Sequence, residues 1–387
     1  MLRDLLNIMH REVNLMTSTS IYLFCMVGIP LISTFFFLTL MPAGIPLDLP
    51  VAVVDQENSV TTRNLARTLD SFEQTSVYMT TPDFDKARKL MQQGKIYGIF
   101  CIPKNFSREV ARGNRPKIVC YSSYTFLVAG SFPFADMKTT ALMAGLSVKK
   151  QKALAQGKTE EQLNASLQPI KIETHALGNP WQNYSIYLNN TLLPGVLQLI
   201  IFSMTVYSIG CEIKYGRAKE WLRMGKDNIL LCLLGKLLPH TVVYVLVSLA
   251  MSASMFSFAS FPLACGWFPL LLAQFLLILA AQGMGVFLFS ILPTLRLGLS
   301  LSCLFGMLSF SIVGFSFPVK SMNGALQGLT KVFPLRHYFL LYVDQPLNGR
   351  PMLDSWVQYV WLFGFILLPF VMMPYLKREL KTFDYIP

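Results

Sequence analysis

Six apolar stretches of about twenty residues recur along this chain, and none has an internal Asp or Glu. They cover residues 20–41, about 188–212, and about 230–258, 267–292, 297–317 and 357–376. An apolar run of this length with few charges predicts a helix that crosses a lipid bilayer. The pattern therefore predicts one transmembrane helix near the N-terminus and transmembrane helices 2–6 within residues 188–387.

Residues 1–19, ahead of the first span, show a different spacing. Apolar residues recur there at helical intervals with polar residues between them: Leu2, Leu5, Leu6, Met9, Val13 and Met16. This pattern predicts an amphipathic helix that lies in the cytoplasmic membrane interface. A simple lead-in to the first span is the alternative.

Residues 42–187 have the charge and turn content of a water-soluble domain. Strand patterns at residues 51–55, 77–79, 96–102 and 118–121 alternate with helical patterns at 59–69, 84–94 and about 134–154, and a polar stretch covers residues 155–168. Strands that alternate with helices indicate an α/β domain. The predicted fold is an α-helical integral membrane protein with six transmembrane helices and an α/β extracytoplasmic domain inserted between helices 1 and 2.

Composition supports this fold. Of the 387 residues, 53% are hydrophobic and only 14% are charged, whereas soluble domains are about a quarter charged. The net charge of +12 lies beside the spans rather than in one soluble patch. It therefore indicates membrane topology and contact with lipid, and no nucleic-acid partner is expected.

The basic residues also predict orientation. The loop after the second span carries Lys214, Arg217, Lys219, Arg223 and Lys226, and the C-terminal tail carries Lys377, Arg378 and Lys381. The loop between the third and fourth spans carries none. Short basic loops stay inside, so both termini are predicted to be cytoplasmic and residues 42–187 to be outside. Four basic residues in the segment 318–356 point the other way, but long loops follow this rule poorly.

The coupling loop, residues 212–229, is dense in charge. Glu212 and Glu220 lie on either side of Gly216, and Arg217–Met224 is long enough for two helical turns. Trp221 and Leu222 lie within these turns as an apolar contact. The pattern predicts a short helix that fits a cleft on a cytoplasmic partner. A solvated loop whose basic residues only set the topology explains the same residues.

Motifs for chemistry are missing. The sequence has no Gly-x-x-x-x-Gly-Lys-Ser/Thr for holding phosphates, no Ser-His-Asp arrangement and no His-Glu-x-x-His. Four His and seven Cys without metal-site spacing do not predict a metal site. We expect no enzymatic activity and no cofactor in this chain. Whether Cys101 and Cys120 form a disulfide stays open.

The coupling loop and its flanks resemble the ABC-2 permease family, the membrane subunits of type-2 ABC exporters. The matching positions are Glu212, Lys214, Gly216, Glu220, Leu222, Gly235 and Lys236. The family usually has Gly-Thr-Leu-Glu followed by Thr-Pro. This chain has Gly216-Arg-Ala-Lys-Glu220 and then Met224-Gly225, so its loop carries one extra residue and lacks the proline.

Two further segments carry the resemblance. Gly314-Phe-Ser-Phe-Pro318, followed by Phe333-Pro334-Leu-Arg-His-Tyr338, is similar to the family's Gly-x-x-x-Pro and Asn-Pro-x-x-Tyr region. Val51–Asp55, Gly94-Lys-Ile-Tyr-Gly98 and Ile102-Pro-Lys-Asn-Phe-Ser107 resemble the subgroup with a large α/β domain between spans one and two.

The resemblance implies the permease subunit of an ABC exporter in a bacterial inner membrane. ATP would be bound by a separate ATP-binding cassette subunit, and the chain would pair with a second copy or a sister permease. A periplasmic adaptor protein is a further implied partner of the outer domain. Spans rich in Phe, Leu and Met suggest a hydrophobic or amphipathic substrate.

The resemblance also implies roles for particular residues. Contacts to the ATP-binding subunit are expected from Glu212, Lys214, Gly216, Arg217, Glu220, Trp221, Leu222 and Arg223. Helix contacts and an outer gate are expected from Gly314, Phe317, Pro318, Pro334 and Tyr338. Residues 318–356 are expected to dip back into the membrane from the outer face.

Two other functions remain open. A membrane receptor or sensor would use the outer domain to bind a ligand, but six spans exceed that need and no cytoplasmic output domain is visible. A secondary carrier is disfavoured, because ion-coupled carriers use ionisable groups within the membrane and the spans lack carboxylates. His240 is expected to be a hydrogen-bonded side chain near the cytoplasmic end of the third span.

Overall fold

The structure is a computed structural model that describes residues 2–40, 44–156, 173, 175, 178–180 and 182–382. The chain divides into a membrane unit, Met1–Pro42 with Ala176–Pro387, and a soluble unit, Ala43–His175. The predicted boundary at residues 41 and 42 and most of the polar stretch 155–168 lie outside the described residues.

The elements in chain order are α1 Leu2–Ser18, α2 Ser20–Leu40, β1 Leu49–Asp55, α3 Val60–Asp70, β2 Thr75–Thr81, α4 Phe84–Gln92, β3 Gly98–Ile102, α5 Phe106–Arg112, β4 Val119–Ser122, α6 Leu127–Ala155, α7 Tyr184–Lys214, α8 Ala218–Met224, α9 Ile229–Phe258, α10 Trp267–Ile291, α11 Leu295–Ile312, α12 Gly324–Thr330, α13 Pro334–Tyr342 and α14 Met352–Thr382.

Six of these helices are long and apolar enough to cross a membrane: α2, α7, α9, α10, α11 and α14. They confirm the predicted spans, and the α/β region between the first two confirms the fold class. Helices α7 and α10 lie at the centre of the membrane unit. In the most apolar 18-residue stretch of each, 67% of the residues are buried, against 22% in α2 and in α14. The outer helices therefore present apolar surface for lipid or another membrane subunit.

Helices α10 and α14 approach closely at a proline. Pro369 has no N–H, so the carbonyl of Phe365 loses its partner within α14. A Cβ atom at Gly283 would collide with that carbonyl oxygen. Glycine at this position therefore allows the backbones to touch.

The fifth span is shorter than predicted. It was expected to run to Phe317, but α11 ends at Ile312. Gly314 follows with φ +94°, and a Cβ atom there would lie 2.7 Å from the Nη1 atom of Arg336. A positive φ lies outside the range of a right-handed helix, so the chain leaves the helix at this point. Glycine adopts this φ readily, whereas residues with a side chain rarely do.

The soluble unit contains a four-stranded sheet in the order β2-β1-β3-β4. The pairs of β1 with β2 and β3 are parallel, and β4 runs antiparallel to β3. Val51 and Val53 on one face of β1 belong to a core with residues of α3 and α6. Ala52 and Val54 on the other face pack with Ala87 of α4. Burial of both faces explains why β1 is a continuous apolar run in the sequence.

The register of β3 and β4 settles the question of the disulfide. Cys120 lies opposite Phe100, and Cys101 lies opposite Val119. Side chains alternate between the two faces of a sheet, so the two cysteines point to opposite sides. Both are free thiols.

Candidate functional site

The coupling loop begins where α7 ends. The N–H of Gly216 donates to the carbonyl of Ile213 (3.1 Å), and the N–H of Arg217 donates to the carbonyl of Glu212 (2.8 Å). Gly216 has φ +66°, and together these bonds form a Schellman motif. Gly216 is therefore needed to stop α7 and turn the chain into α8.

Helix α8 lies on the membrane unit through its apolar side. Trp221 and Leu222 are 0% and 1% exposed and pack in a cluster with Ile8, Ile209 and Leu376. The chain's own core therefore covers Trp221 and Leu222 in this conformation, and their contact with a partner stays a prediction. A short helix has too few contacts of its own, so these two side chains anchor it to the bundle.

A buried charge cluster lies beside α8. The two terminal guanidinium nitrogens of Arg11, Nη1 and Nη2, donate to the carboxylate of Glu212 at 3.0 and 2.7 Å. Lys236 Nζ lies 2.9 Å from Glu212 and 2.7 Å from Glu12. His240 Nε2 lies 2.9 Å from the other oxygen of Glu12. The cluster joins three helices. Helix α1 supplies Arg11 and Glu12, α7 supplies Glu212, and α9 supplies Lys236 and His240.

The charges of this cluster balance. Glu12, Glu212, Lys236 and His240 are at most 1% exposed, and two carboxylates face the cations of Arg11 and Lys236. Burial by itself raises the pKa of Glu12, but the charge of Lys236 and the hydrogen bond with His240 outweigh burial and lower the pKa to about 2. Buried charges persist only when they are paired and hydrogen-bonded in this way.

Glu12 is a residue of the cluster that the sequence pattern did not indicate. Ile8 and Glu12 are the buried residues of α1, one turn apart on the face that meets α9. The predicted apolar stripe lies elsewhere, since Leu2 and Leu6 are 71% and 54% exposed. Helix α1 thus packs through a mixed face that includes Ile8 and Glu12, and it exposes part of its apolar stripe. The Gly235-Lys236 pair in the sequence was the signal for a helix packed at this point of α9. A Cβ atom at Gly235 would lie 2.8 Å from Ile8, and Lys236 binds Glu12.

The predicted partner contacts fall into two groups. Glu212, Trp221 and Leu222 are buried within the chain. The remaining five are at least partly accessible: Lys214, Gly216, Arg217, Glu220 and Arg223. Tyr215, which the sequence analysis did not single out, is 59% exposed. The cations of Lys214 and Arg217 lie 5.4 and 5.2 Å from its ring centre. The accessible face of the loop is therefore charged and aromatic rather than aliphatic.

The predicted outer-gate residues lie in the segment after α11 and in α13, and their role as a gate stays a prediction. Gly314 lies at the end of α11, and the adjacent carbonyl of Val313 accepts a hydrogen bond from Arg336 of α13 at 2.5 Å. Pro334 occupies the first turn of α13. Tyr338 is 1% exposed, whereas Phe317 is 53% exposed and Pro318 is also exposed. The segment 318–356 contains the short helices α12 and α13, and the expectation that it dips back into the membrane stays a prediction.

No group of three or more metal-binding side chains occurs in the described part of the chain. A family model described as "ABC-2 family transporter protein" matches residues 20–373. A search of curated proteins found no match. The matched region contains all six candidate spans except the last residues of α14.

An ATP-binding cassette partner follows from this family, whose members are the transporter's membrane components. Six apolar helices, the inserted α/β unit and a match over most of the length agree with one another. The chain is an integral membrane protein that belongs to the ABC-2 transporter family and serves as the permease of an ABC transporter.

Proposed function

We propose that this permease exports a hydrophobic or amphipathic substrate, driven by an ATP-binding subunit that docks on residues 212–226. The observation that carries the proposal is the pairing of an accessible, charged loop with a buried charge cluster beneath it. Trp221 and Leu222 attach α8 to the membrane unit. A push on α8 would therefore reach the spans rather than be lost in a loose loop.

The charge cluster provides the path for this push. Glu212 lies in the last turn of α7, Lys236 lies in the second turn of α9, and Glu12 belongs to α1. Because a buried ion pair resists separation, these three helices are expected to move as one body. Packed helices with shared charges transmit a displacement better than a flexible connection does. Helix α1 thus becomes part of the coupling unit.

The proposed orientation places this end of the membrane unit in the cytoplasm. Lys226 Nζ lies 2.9 Å from Asp4, and Lys381 Nζ lies 2.9 Å from Asp227. These contacts bring α1, the coupling loop and the end of α14 to the same end of the membrane unit. Its concentration of basic residues fits the cytoplasmic side of a bacterial inner membrane, with the α/β unit outside.

The proposed substrate class follows from the apolar spans, and a cavity of about 20 Å³, room for about one water molecule, lies between α7, α9, α10 and α13. Leucine and methionine side chains line it together with Tyr338 and Tyr342, and Ser252 and Gln274 pair within it at 2.7 Å. An apolar wall with few polar groups suits a hydrophobic or amphipathic molecule. We expect the cavity to widen during transport, in a dimer with a second copy or a sister permease. The outer α/β unit would offer a surface to a periplasmic adaptor.

A pull-down tests the docking site. The tagged chain is isolated from native membranes in mild detergent and assayed for ATP hydrolysis and for a P-loop subunit. The double variant Lys214→Ala/Glu220→Ala changes two accessible residues of the loop. We expect it to insert normally and to retain clearly less of the ATP-binding subunit.

The matched control is Glu73→Ala/Lys95→Ala, which removes one acid and one base that are exposed in the soluble unit. It should retain the partner at the level of the unaltered chain. Equal retention by both double variants would rule out docking on the loop. A chain that purifies without any ATPase would count against stable docking of an ATP-binding subunit on this chain.

A further inference from the structure

A basic groove of about 540 Å³ runs between α8 and the last turns of α14. Its walls are formed by Lys219, Leu222, Arg223, Lys226, Asp227 and Lys381. The sequence places these residues in two basic segments more than 150 positions apart. The fold brings the two segments together as four cations around one carboxylate.

Two of the cations are already compensated. Lys381 pairs with Asp227, and Lys226 pairs with Asp4, both at 2.9 Å. The hydrogen bond from Lys381 and the nearby positive charges lower the pKa of Asp227. Lys219 and Arg223 are exposed, and no ion pair involves them in the part of the chain that the structure describes. The groove therefore keeps an excess of positive charge that an anion can neutralise.

A second, apolar groove of about 210 Å³ lies between α9, α10 and α14. It is lined mainly by leucines together with Ile366, Pro369, Phe370 and Met373. Its polar members Thr241 and Gln282 bond to each other at 2.8 Å and so present no free polar group. This groove fits a hydrocarbon chain better than a polar ligand.

The two grooves follow one another along α14 and lie three residues apart in the sequence at the start of α9. On α14, Met373 lies in the apolar groove, Lys377 follows four residues later, and Lys381 of the basic groove follows after four more. Residues four apart share one face of a helix, and Met373 and Lys381 are about 12 Å apart along the axis. Next to α9, Asp227 and Leu230 are three residues apart. An amphipathic ligand of lipid length can therefore occupy both grooves at once.

We propose that the seam between α9 and α14 binds an anionic phospholipid of the cytoplasmic leaflet. Its phosphate would contact Lys219, Arg223 and Lys381, so Arg223 would serve the lipid rather than the ATP-binding subunit. One acyl chain would lie along Leu230, Leu234 and Met373. Basic pockets at the cytoplasmic ends of transmembrane helices are suited to anionic headgroups. A soluble anion would leave the apolar groove unused, so the succession of a basic and an apolar groove along α14 favours a lipid. This inference rests on the orientation given under the proposed function.

The test is a lipid titration of the full chain. Delipidated protein in detergent is titrated with dioleoylphosphatidylglycerol or dioleoylphosphatidylcholine, and bound lipid is counted by native mass spectrometry. We expect the phosphatidylglycerol to bind more tightly, and Lys219→Gln/Arg223→Gln to weaken it about tenfold, since each basic side chain near an anionic headgroup contributes several-fold. Leu234→Trp, which partly fills the apolar groove, should weaken binding as well.

Two controls match these changes. Lys320→Gln/Lys331→Gln removes two exposed cations from the segment between α11 and α14, and Leu246→Trp alters an exposed leucine of α9 outside the groove. Both should bind lipid as the unaltered chain does. Monodisperse elution of every variant confirms folding.

Equal binding of the two lipids, or unchanged phosphatidylglycerol binding by Lys219→Gln/Arg223→Gln, would overturn the proposal. If that variant keeps the lipid but loses a co-purifying ATPase, the groove accepts an acidic protein segment instead. Failure of any ATPase to co-purify would count against the proposed function alone, because the titration uses the permease without a partner.

Discussion

Lys236 neutralises two carboxylates that would otherwise face each other in a buried site. Lys236→Met keeps most of the side-chain volume but leaves Glu12 and Glu212 with only Arg11 and His240 as partners. Removing one member of a buried ion pair costs about 3–5 kcal/mol. We therefore expect a clearly lower midpoint of thermal unfolding in detergent, measured by intrinsic fluorescence.

A double variant that adds Glu12→Gln to Lys236→Met tests whether the lost stability comes from the unpaired carboxylate. A neutral amide at position 12 does not need the ammonium group, so Lys236→Met/Glu12→Gln should recover part of the lost stability. Lys320→Met, at an exposed position, controls for loss of a lysine. If Lys236→Met alone were as stable as the unaltered chain, the charge cluster would contribute little to the stability of the fold.

The pH dependence of stability follows from Glu12. Its pKa is lowered from 4.5 to about 2 in the folded chain, so the ionised carboxylate stabilises the fold above pH 4.5. This stabilisation is lost as the pH falls from about 4.5 towards about 2. Thermal midpoints of the unaltered chain and of Glu12→Gln should therefore differ at pH 7 and converge towards pH 2. A difference that is independent of pH would contradict this assignment.

Trp221 and Glu220 are neighbours with opposite environments. Trp221→Ala removes a fully buried ring and should cost about 3–5 kcal/mol of stability, with loss of the partner as a consequence. Glu220→Ala changes an exposed side chain and should alter stability by no more than about 0.5 kcal/mol. Thermal unfolding and pull-down of both variants separate these effects. Equal stability of the two variants would contradict the packing of α8.

At the scale of elements, the contact between α1 and α9 depends on Gly235. Gly235→Ala places a Cβ atom 2.8 Å from Ile8, which should force the helices apart and lower stability. Gly364→Ala in α14 has nothing within 4 Å, so the higher helix propensity of alanine should raise stability by up to about 1 kcal/mol. Opposite shifts in the thermal midpoint are expected. A higher thermal midpoint in both variants would show that α1 can shift away from α9 at little cost in stability.

At the scale of the whole molecule, the proposed orientation predicts which regions a protease can reach. Trypsin added to spheroplasts should cut within residues 44–156, where many Lys and Arg are exposed. The loop 212–229 and a C-terminal tag should be cut only in inverted vesicles. The reverse pattern would place the coupling loop outside and exclude docking of a cytoplasmic ATPase there.

The spans, the α/β alternation and the family could be predicted from sequence because each depends on local features. Length and apolarity specify a transmembrane helix, and a strand such as Val51–Asp55 is recognisable as a short apolar run. The start of α3 is also set locally, because the Ser59 hydroxyl accepts a hydrogen bond from the N–H of Thr62 at 3.2 Å. The exposed part of the coupling loop remains a prediction from motif and charge.

Only the tertiary structure decided which polar side chains are buried. Glu12 and Lys236 are separated by 224 positions, and neither the helical pattern of α1 nor the apolar pattern of α9 indicates that they meet. The same holds for Trp221, since an apolar side chain on a short helix suits a partner and the chain's own core equally well. The sequence by itself determined which segments enter the membrane, because transfer from water depends on each segment's own side chains. The fold determined which charges neutralise each other, because that depends on distances between segments far apart in the chain.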